Sequence, residues 1–128
     1  MSYYFTKTVS QSFGETIAKV VEELKKEGFG LITEIDVQGT LKTKLDVDFR
    51  KYRILGACNP ALAYQALQAE DNIGLLLPCN VIVQEKSAGQ VEVSAIDPVV
   101  TMKAVQNPEL AAVAQQVQTK LKQVIDRV

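Results

Sequence analysis

The hydrophobic positions in the first part of the chain follow two different periods. The stretch YYFTKTV, residues 3–9, is rich in aromatic and β-branched residues and predicts a strand. The next apolar residues recur at helical steps and predict one buried helix face, made of Phe13, Ile17, Val20, Val21 and Leu24. Ser12 and Glu15 fit a capping box at the start of this helix, and Gly28 is a typical stop.

Strict alternation returns in GLITEIDV, residues 30–37, and predicts a second strand. Leu31, Thr33, Ile35 and Val37 fall on one face of it, and Ile32, Glu34 and Asp36 on the other. After Gly39, the stretch TLKTKL, residues 40–45, alternates again with Lys42 and Lys44 on one side. We therefore expect a hairpin or meander that places these lysines opposite the two acids.

The second half of the chain predicts three more strands and two helices. YRILGAC, residues 52–58, reads as a strand that leads into the helical stretch ALAYQALQAE. NIGLLLPCNVIVQE and QVEVSAI flank KSAG, a typical hairpin turn. In the first of these, one apolar row is expected to comprise Leu75, Leu77, Cys79, Val81 and Val83, with Pro78 at an edge or bulge. The tail predicts a long amphipathic helix with its buried stripe at Leu110, Val113, Val117, Leu121, Val124 and Val128.

Three Asx–Pro pairs mark further helix starts. Asn59-Pro60, Asp97-Pro98 and Asn107-Pro108 each place a capping side chain before a proline suited to the first helical turn. Together with the strands, they predict a single α+β domain over residues 1–128, in which helices cover one face of an antiparallel sheet.

Composition limits the chemistry. The chain of 128 residues contains no histidine, which excludes imidazole triads and His-containing zinc sites. Fourteen basic and fifteen acidic residues balance almost fully, so we expect no general nucleic-acid binding. No apolar run is long enough to span a membrane and no secretory signal is visible, so the expected location is the cytoplasm, where two cysteines stay reduced.

Both cysteines are followed by asparagine, in ILGACNP and LLLPCNV. If Asn59 caps a helix, Cys58 lies where free amides favour an anion, which makes it the better nucleophile candidate. Cys79, in an apolar row, is expected to resist ionisation. The alternative is that Cys58 and Cys79 are core residues and Asn59 only a cap, although Asn80 in mid-strand then still needs hydrogen-bond partners.

Other polar residues offer weaker candidate sites. Glu34 and Asp36 could form an acid–base pair or a solvated face. The basic side chains of residues 40–53 could hold a carboxylate or phosphate, or line a solvated loop. A metal site combining the cysteines with Glu34, Asp36 or Asp97 lacks the spacing of known zinc clusters, and we predict none.

The stretch from TEIDV through ILGACNP and LLLPCNV, with the DP of AIDP, resembles an uncharacterised bacterial and archaeal family, domain-of-unknown-function family 302. The resemblance implies a strand–helix–four strands–helix α+β fold of the TATA-binding-protein class and a homodimer, with no established activity or cofactor. The positions matching the family pattern form the candidate site: Glu34, Asp36, Lys44, Tyr52, Cys58, Asn59, Cys79, Asn80 and Asp97.

Three functional interpretations remain open at this point. The preferred one is a homodimer that binds a small molecule in a pocket built from both Cys-Asn pairs and the Glu34/Asp36 strand. The second is a thiol-dependent redox protein or enzyme in which Cys58 attacks and Cys79 resolves. The third is a structural or partner-binding dimer.

Overall fold

Five strands form one antiparallel sheet in a computed structural model that describes residues 2–128. The strands are β1 (Tyr4–Val9), β2 (Gly30–Asp36), β3 (Tyr52–Cys58), β4 (Cys79–Ser87) and β5 (Gln90–Ile96). They lie in the order β1-β5-β4-β3-β2. β4 and β5 form a hairpin through Ala88 and Gly89, and Gly89 takes the positive φ (79°) that favours glycine. The predicted α+β fold and its strand–helix–four strands–helix order are confirmed.

Five helices accompany the sheet. They are α1 (Phe13–Lys26), α2 (Val37–Leu45), α3 (Pro60–Ala69), α4 (Pro98–Thr101) and α5 (Pro108–Arg127), with 3₁₀ turns at Asp71–Leu76 and Lys103–Val105. The amphipathic patterns of α1 and α5 hold, because Val20 and Leu24 are buried in α1 and every member of the predicted α5 stripe is buried. Helix α5 packs against both α1 and α3, and α1 and α5 also pack against the sheet.

Alternation along β4 and β5 divides the sheet into two unlike faces. Cys79, Val81 and Val83 join the hydrophobic core with the helices, as do Val91, Val93 and Ala95 of β5. We call this side the helix face. The intervening residues point to the other side, the open face, where the central row consists of Asn80, Ile82, Gln84, Glu92 and Ser94.

The three Asx–Pro pairs cap helices as predicted, and each cap also contacts a second helix. Asn59 Oδ1 accepts from the Leu62 amide (3.3 Å), and its Nδ2 donates to the Glu27 carbonyl at the end of α1 (3.2 Å). Asn107 Nδ2 donates in the same way to the Ala69 carbonyl of α3 (2.8 Å). These side chains satisfy free groups at two helix ends at once.

Asp97 follows the same rule at α4. Its Oδ1 accepts from the Val99 amide (3.0 Å), and both carboxylate oxygens accept from Gln118 Nε2 of α5 (3.1 and 3.2 Å). The side chain is buried. Asp97 therefore fixes the start of α4 against α5.

The predicted strand at residues 40–45 is wrong, because these residues belong to α2. Asp36 caps this helix by accepting from the Gly39 amide (3.1 Å). Val37, Leu41 and Leu45 recur every four residues, which is typical of a helix. The two-residue spacing of the lysines is typical of a strand, and the prediction followed that spacing instead. Lys42 consequently pairs with Asp46 (2.9 Å) instead of facing Glu34 across a hairpin.

Two strand faces also differ from expectation. A bulge between Leu31 and Thr33 adds one residue to β2, so Leu31 lies on the helix face while Thr33 and Ile35 lie on the open face. The apolar row predicted around Cys79 begins only at that residue. Leu75 lies in a 3₁₀ turn and Pro78 precedes β4, because proline has no amide hydrogen for the ladder.

Gly56 marks a point of close packing between three strands. It lies in β3 opposite Thr33 of β2 and Asn80 of β4. A Cβ at this position would overlap Thr33 Oγ1 and would lie 2.9 Å from Pro78 Cγ. Only glycine therefore fits where the two Cys-Asn segments meet.

We expect Gly56→Ala to lower the free energy of unfolding by about 1–3 kcal/mol, because the added methyl must displace Thr33 or Pro78. Denaturant unfolding measures this change. Gly74→Ala is the matched control, since nothing lies within 4 Å of its new Cβ. Equal stability of the two variants would contradict the packing described for Gly56.

Candidate functional site

The structure brings the two Cys-Asn pairs together at neighbouring strand ends. Gly56 is opposite Asn80 and Ala57 is opposite Cys79, so Cys58-Asn59 at the end of β3 adjoins Cys79-Asn80 at the start of β4. Alternation then sends Cys79 to the helix face and Asn80 to the open face. The two pairs consequently border two different cavities.

The smaller of these cavities lies beside the core and measures about 200 Å³. Cys58, Asn59 and Cys79 contribute to it, and the rest of its wall is apolar: Phe29, Ile32, Ala57, Leu62, Ala63, Leu77, Pro78 and Val117. Both polar ends of the Asn59 amide already have protein partners. Cys58 is half-buried and precedes the cap of α3, as predicted. This cavity offers two thiols and little else that is polar.

Cys79 is a weak acid in this setting. Burial is the main cause that raises the pKa of its thiol to about 11, and the neighbouring charge of Cys58 adds to the effect. The thiol therefore stays protonated at neutral pH. Only the thiolate is a good nucleophile, so this environment disfavours the resolving role proposed for Cys79 in a redox pair.

The larger cavity covers the open face of β4 and β5 and measures about 580 Å³. One end is mostly apolar, with Tyr3, Tyr4, Leu75, Leu76, Leu77, Pro78, Pro98 and Met102. The floor and the opposite end carry polar side chains, namely Tyr52, Asn80, Gln84, Lys86, Glu92 and Ser94. We call this space the open-face cavity. Cys79 contributes to its wall as well as to the smaller cavity.

Most polar groups on the cavity floor are held by hydrogen bonds. Ser94 Oγ shares a bond with Thr6 Oγ1 (3.0 Å) and donates to Glu92 Oε1 (3.4 Å). Lys86 Nζ forms an ion pair with Glu92 Oε2 (2.9 Å). The Glu92 charge is thus balanced locally, and the floor has a fixed geometry before any ligand enters.

An arginine binds the Gln84 side chain at the polar end. Arg50 Nε donates to Gln84 Oε1 (2.9 Å), while the guanidinium carbon lies 4.4 Å from the Phe49 ring centre and 5.6 Å from that of Tyr52. Both distances lie within the range of cation–π attraction. The aromatic rings thereby hold Arg50 in place beside Gln84.

The remaining predicted site residues lie elsewhere. Arg53 pairs with Glu34 (2.6 Å) and approaches Asp36 (3.8 Å) across the β2–β3 register. Neither acid borders the cavities that contain the cysteines; Asp36 and Tyr52 border a third, polar cavity of about 310 Å³ near the start of α1. Lys44 is exposed on α2 and borders none of the three cavities.

Two further functional features are absent from the part of the chain that the structure describes. Across residues 2–128, no three side chains of Cys, Asp or Glu come close enough together to bind a metal ion. Within the same residues, no helix has the length and apolar character needed to cross a bilayer. The Cys-Asn region therefore offers thiols and amides without a carboxylate cluster.

Gln84 is absent from the predicted site residues, and Arg50 was predicted only as one of the basic side chains of residues 40–53. Gln84 interrupts the apolar run VIVQE, and strict alternation from Asn80 places Asn80, Ile82 and Gln84 on one face. That alternation was a usable signal for an open polar face. The contact of Arg50 with Gln84 had no such signal, because it depends on how the 46–51 loop returns to the sheet.

Comparison with known proteins agrees with this architecture. The family model described as Domain of unknown function DUF302 matches residues 5–128. Among curated proteins, no match was found. A crystal structure of an uncharacterized conserved protein DUF302 from Bacillus stearothermophilus is similar, with 30% identity and a TM-score of 0.91. The similarity covers 99% of this chain and 98% of that one.

The family model covers nearly the entire chain, and the similar crystal structure has the same family name and matches over almost its full length. The resemblance in TEIDV, ILGACNP and LLLPCNV is thereby confirmed. Neither match carries an assigned activity. The chain belongs to the DUF302 family, whose function is uncharacterised.

Proposed function

We propose that this protein binds a small organic molecule in the open-face cavity. The observation that carries the proposal is the cavity itself, about 580 Å³ in volume with an apolar end and a polar floor. Small-molecule sites commonly occupy some 300–1,000 Å³ and combine apolar walls with a few fixed polar groups. The preferred interpretation of the sequence is thus retained, with a different set of residues around the ligand.

The apolar end of the cavity supports this proposal. Leu75 is 87% exposed, and Tyr3, Tyr4 and Leu76 are also exposed. Contiguous apolar surface of this kind marks binding sites more often than isolated exposed residues do. A ligand with an apolar body would remove these side chains from water.

The predicted site residues divide between binding and folding in this proposal. Tyr52, Cys79 and Asn80 line the cavity proposed for the ligand. Asn59 and Asp97 act as helix caps that connect two helices each. This division explains why polar residues of the two Cys-Asn motifs can match one family pattern without sharing one pocket.

A homodimer is the second part of the proposal. Ile35 (48% exposed) lies on the same open face as Tyr4, and Leu75 lies at the rim of the cavity. A second copy placed on this face by a twofold axis would cover these side chains with the same surface. It would also form a roof over the ligand.

Thiol chemistry is the alternative, and Cys58 and Cys79 do border a shared cavity. The raised pKa of Cys79 weighs against it. Both cysteines are free, which suits a reducing compartment, and we propose the cytoplasm as the location.

To test the ligand site, we suggest titrating ¹⁵N-labelled protein with the neutral lipophilic ketone 6-propionyl-2-(dimethylamino)naphthalene. We expect amide shifts confined to the cavity lining and a dissociation constant at least about tenfold weaker in Ile82→Trp, because the larger ring fills the floor. Thr8→Trp is the control, since Thr8 is exposed on the open face outside the cavity. Equal weakening by both variants, or shifts elsewhere, would contradict the proposed site.

We expect the Leu75→Asp variant to be monomeric, because Leu75 lies in the proposed dimer interface. A charge at this exposed position should weaken self-association at least about tenfold, because it would be desolvated in the interface. Light scattering coupled to gel filtration measures the mass. Tyr64→Asp, at an exposed residue on α3, should remain dimeric. A wild-type chain that is monomeric at high micromolar concentration would refute the dimer.

The state of Cys79 can be tested by alkylation. At pH 7.5 we expect iodoacetamide to modify Cys79 about a hundredfold more slowly in the folded protein than in the unfolded chain. The reason is that a pKa of about 11, above the ordinary 9.0, lowers the thiolate fraction by that factor. Peptide mass spectrometry resolves the two cysteines. Equal rates in both states would restore Cys79 as a candidate resolving thiol.

A further inference from the structure

We propose that Gln84 selects the ligand, by donating a hydrogen bond from its amide nitrogen to a carbonyl-type acceptor on an elongated, mainly apolar molecule. This inference rests on the proposed function and assigns the chemical class of the ligand.

Gln84 is a buried polar residue at the polar end of the open-face cavity. It is only 6% exposed, and its neighbours across the sheet are Tyr52 of β3 and Glu92 of β5. A buried amide whose N–H groups have no acceptor costs free energy of folding, so such groups are usually hydrogen-bonded in native structures.

The amide oxygen of Gln84 is already bound. Arg50 Nε donates to Oε1 at 2.9 Å, and an arginine can only donate. This contact fixes the orientation of the amide, with Nε2 as the free end. The contacts of Arg50 with the Phe49 and Tyr52 rings hold the donor itself in position.

The amide nitrogen of Gln84 has no acceptor among residues 2–128. The nearest acidic candidate, Glu92, instead accepts from Lys86 (2.9 Å) and Ser94 (3.4 Å). Fully enclosed side-chain nitrogen and oxygen atoms in the described chain all have partners, so the Gln84 nitrogen must reach open space. Since Gln84 borders the open-face cavity, its free hydrogens are available to a ligand there.

The distance between the two ends of the cavity sets the shape of the ligand. Asn80, beside the apolar end, is four residues from Gln84 along β4, which corresponds to about 13 Å. A molecule that contacts both ends must be elongated. Its apolar body would lie against Leu75 and Met102, and its acceptor would lie at Gln84.

The charges that border the open-face cavity leave no net charge for an ionic head group to pair with. Lys86 and Glu92, the charged residues that line it, neutralise each other, and Arg50 is not among its lining residues. Among the described residues that line the floor, the buried donor without a protein acceptor is therefore the neutral Gln84 amide. A neutral carbonyl, as in a ketone, ester or amide, suits it best.

The test compares two probes that differ by one acceptor. The first is 6-propionyl-2-(dimethylamino)naphthalene, and the second is 6-propyl-2-(dimethylamino)naphthalene, which lacks the carbonyl. We expect the ketone to bind wild-type protein about five- to tenfold more tightly, the usual effect of one hydrogen bond. The ¹⁵N–¹H signals of the Gln84 side chain should move with the ketone and not with the propyl compound.

Two variants separate the donor from the shape of the side chain. Gln84→Met removes the donor and keeps the length, and Gln84→Glu keeps an acceptor for Arg50 but replaces the amide nitrogen by oxygen. Both should lose the preference for the ketone while binding of the propyl compound changes less than about twofold. Thermal unfolding identifies any variant that has lost its fold, and the other variant then carries the comparison.

The outcomes distinguish this inference from the proposed function. Binding of both probes in the cavity with equal affinity, and with unmoved Gln84 signals, would overturn the role of Gln84 and leave the cavity as a ligand site. Failure of both probes to shift any cavity amide would overturn the proposed function and this inference together. A ketone preference that persists in both variants would also overturn the assignment to Gln84.

Discussion

The fold depends on the burial of one face of a five-stranded sheet. Val81, Val83, Val91 and Val93 are fully buried beneath the helices, and each contributes about 1.5–3 kcal/mol through removal of its side chain from water. Because α1 and α5 pack on this face, the alternate residues of the same strands face the other way. The polar open face is therefore a direct consequence of how the core is built.

The cysteine and the asparagine of each Cys-Asn motif have different roles in the structure. Cys79 belongs to the core side, and its burial keeps it a neutral thiol. Asn80 lies on the open face, where it borders the larger cavity. In the other motif, Asn59 connects the end of α1 to the start of α3. A motif that looks like one chemical site thus combines packing, capping and surface roles.

Much of the fold could be predicted from the sequence because its signals are local. The amphipathic periods of α1 and α5 and the three Asx–Pro caps each depend on neighbouring residues, and all of these predictions are confirmed. A helix at residues 37–45 was not predicted, because LKTKL alternates like a strand although its apolar residues also have helical spacing. The hydrogen bond by which Asp36 caps the helix distinguishes helix from strand here, and it is seen only in the structure.

The candidate site was harder to predict for a physical reason. Its members come from distant segments: Tyr4 from β1, Gln84 from β4 and Leu75 from the 3₁₀ turn. Their proximity depends on the strand order β1-β5-β4-β3-β2. Residue spacing alone does not determine that order, and neither does it reveal that Arg50 returns to bind Gln84. Glu34 and Asp36, conspicuous in the sequence, instead pair with Arg53 at the edge of the sheet.

The most direct test of the ligand site is a crystal structure of the protein grown with 6-propionyl-2-(dimethylamino)naphthalene. Our account predicts density for the dye across β4 and β5 on the open face, with its carbonyl oxygen about 3 Å from Gln84 Nε2. Density in the thiol-lined cavity beside Cys58, with the open face empty, would contradict the account.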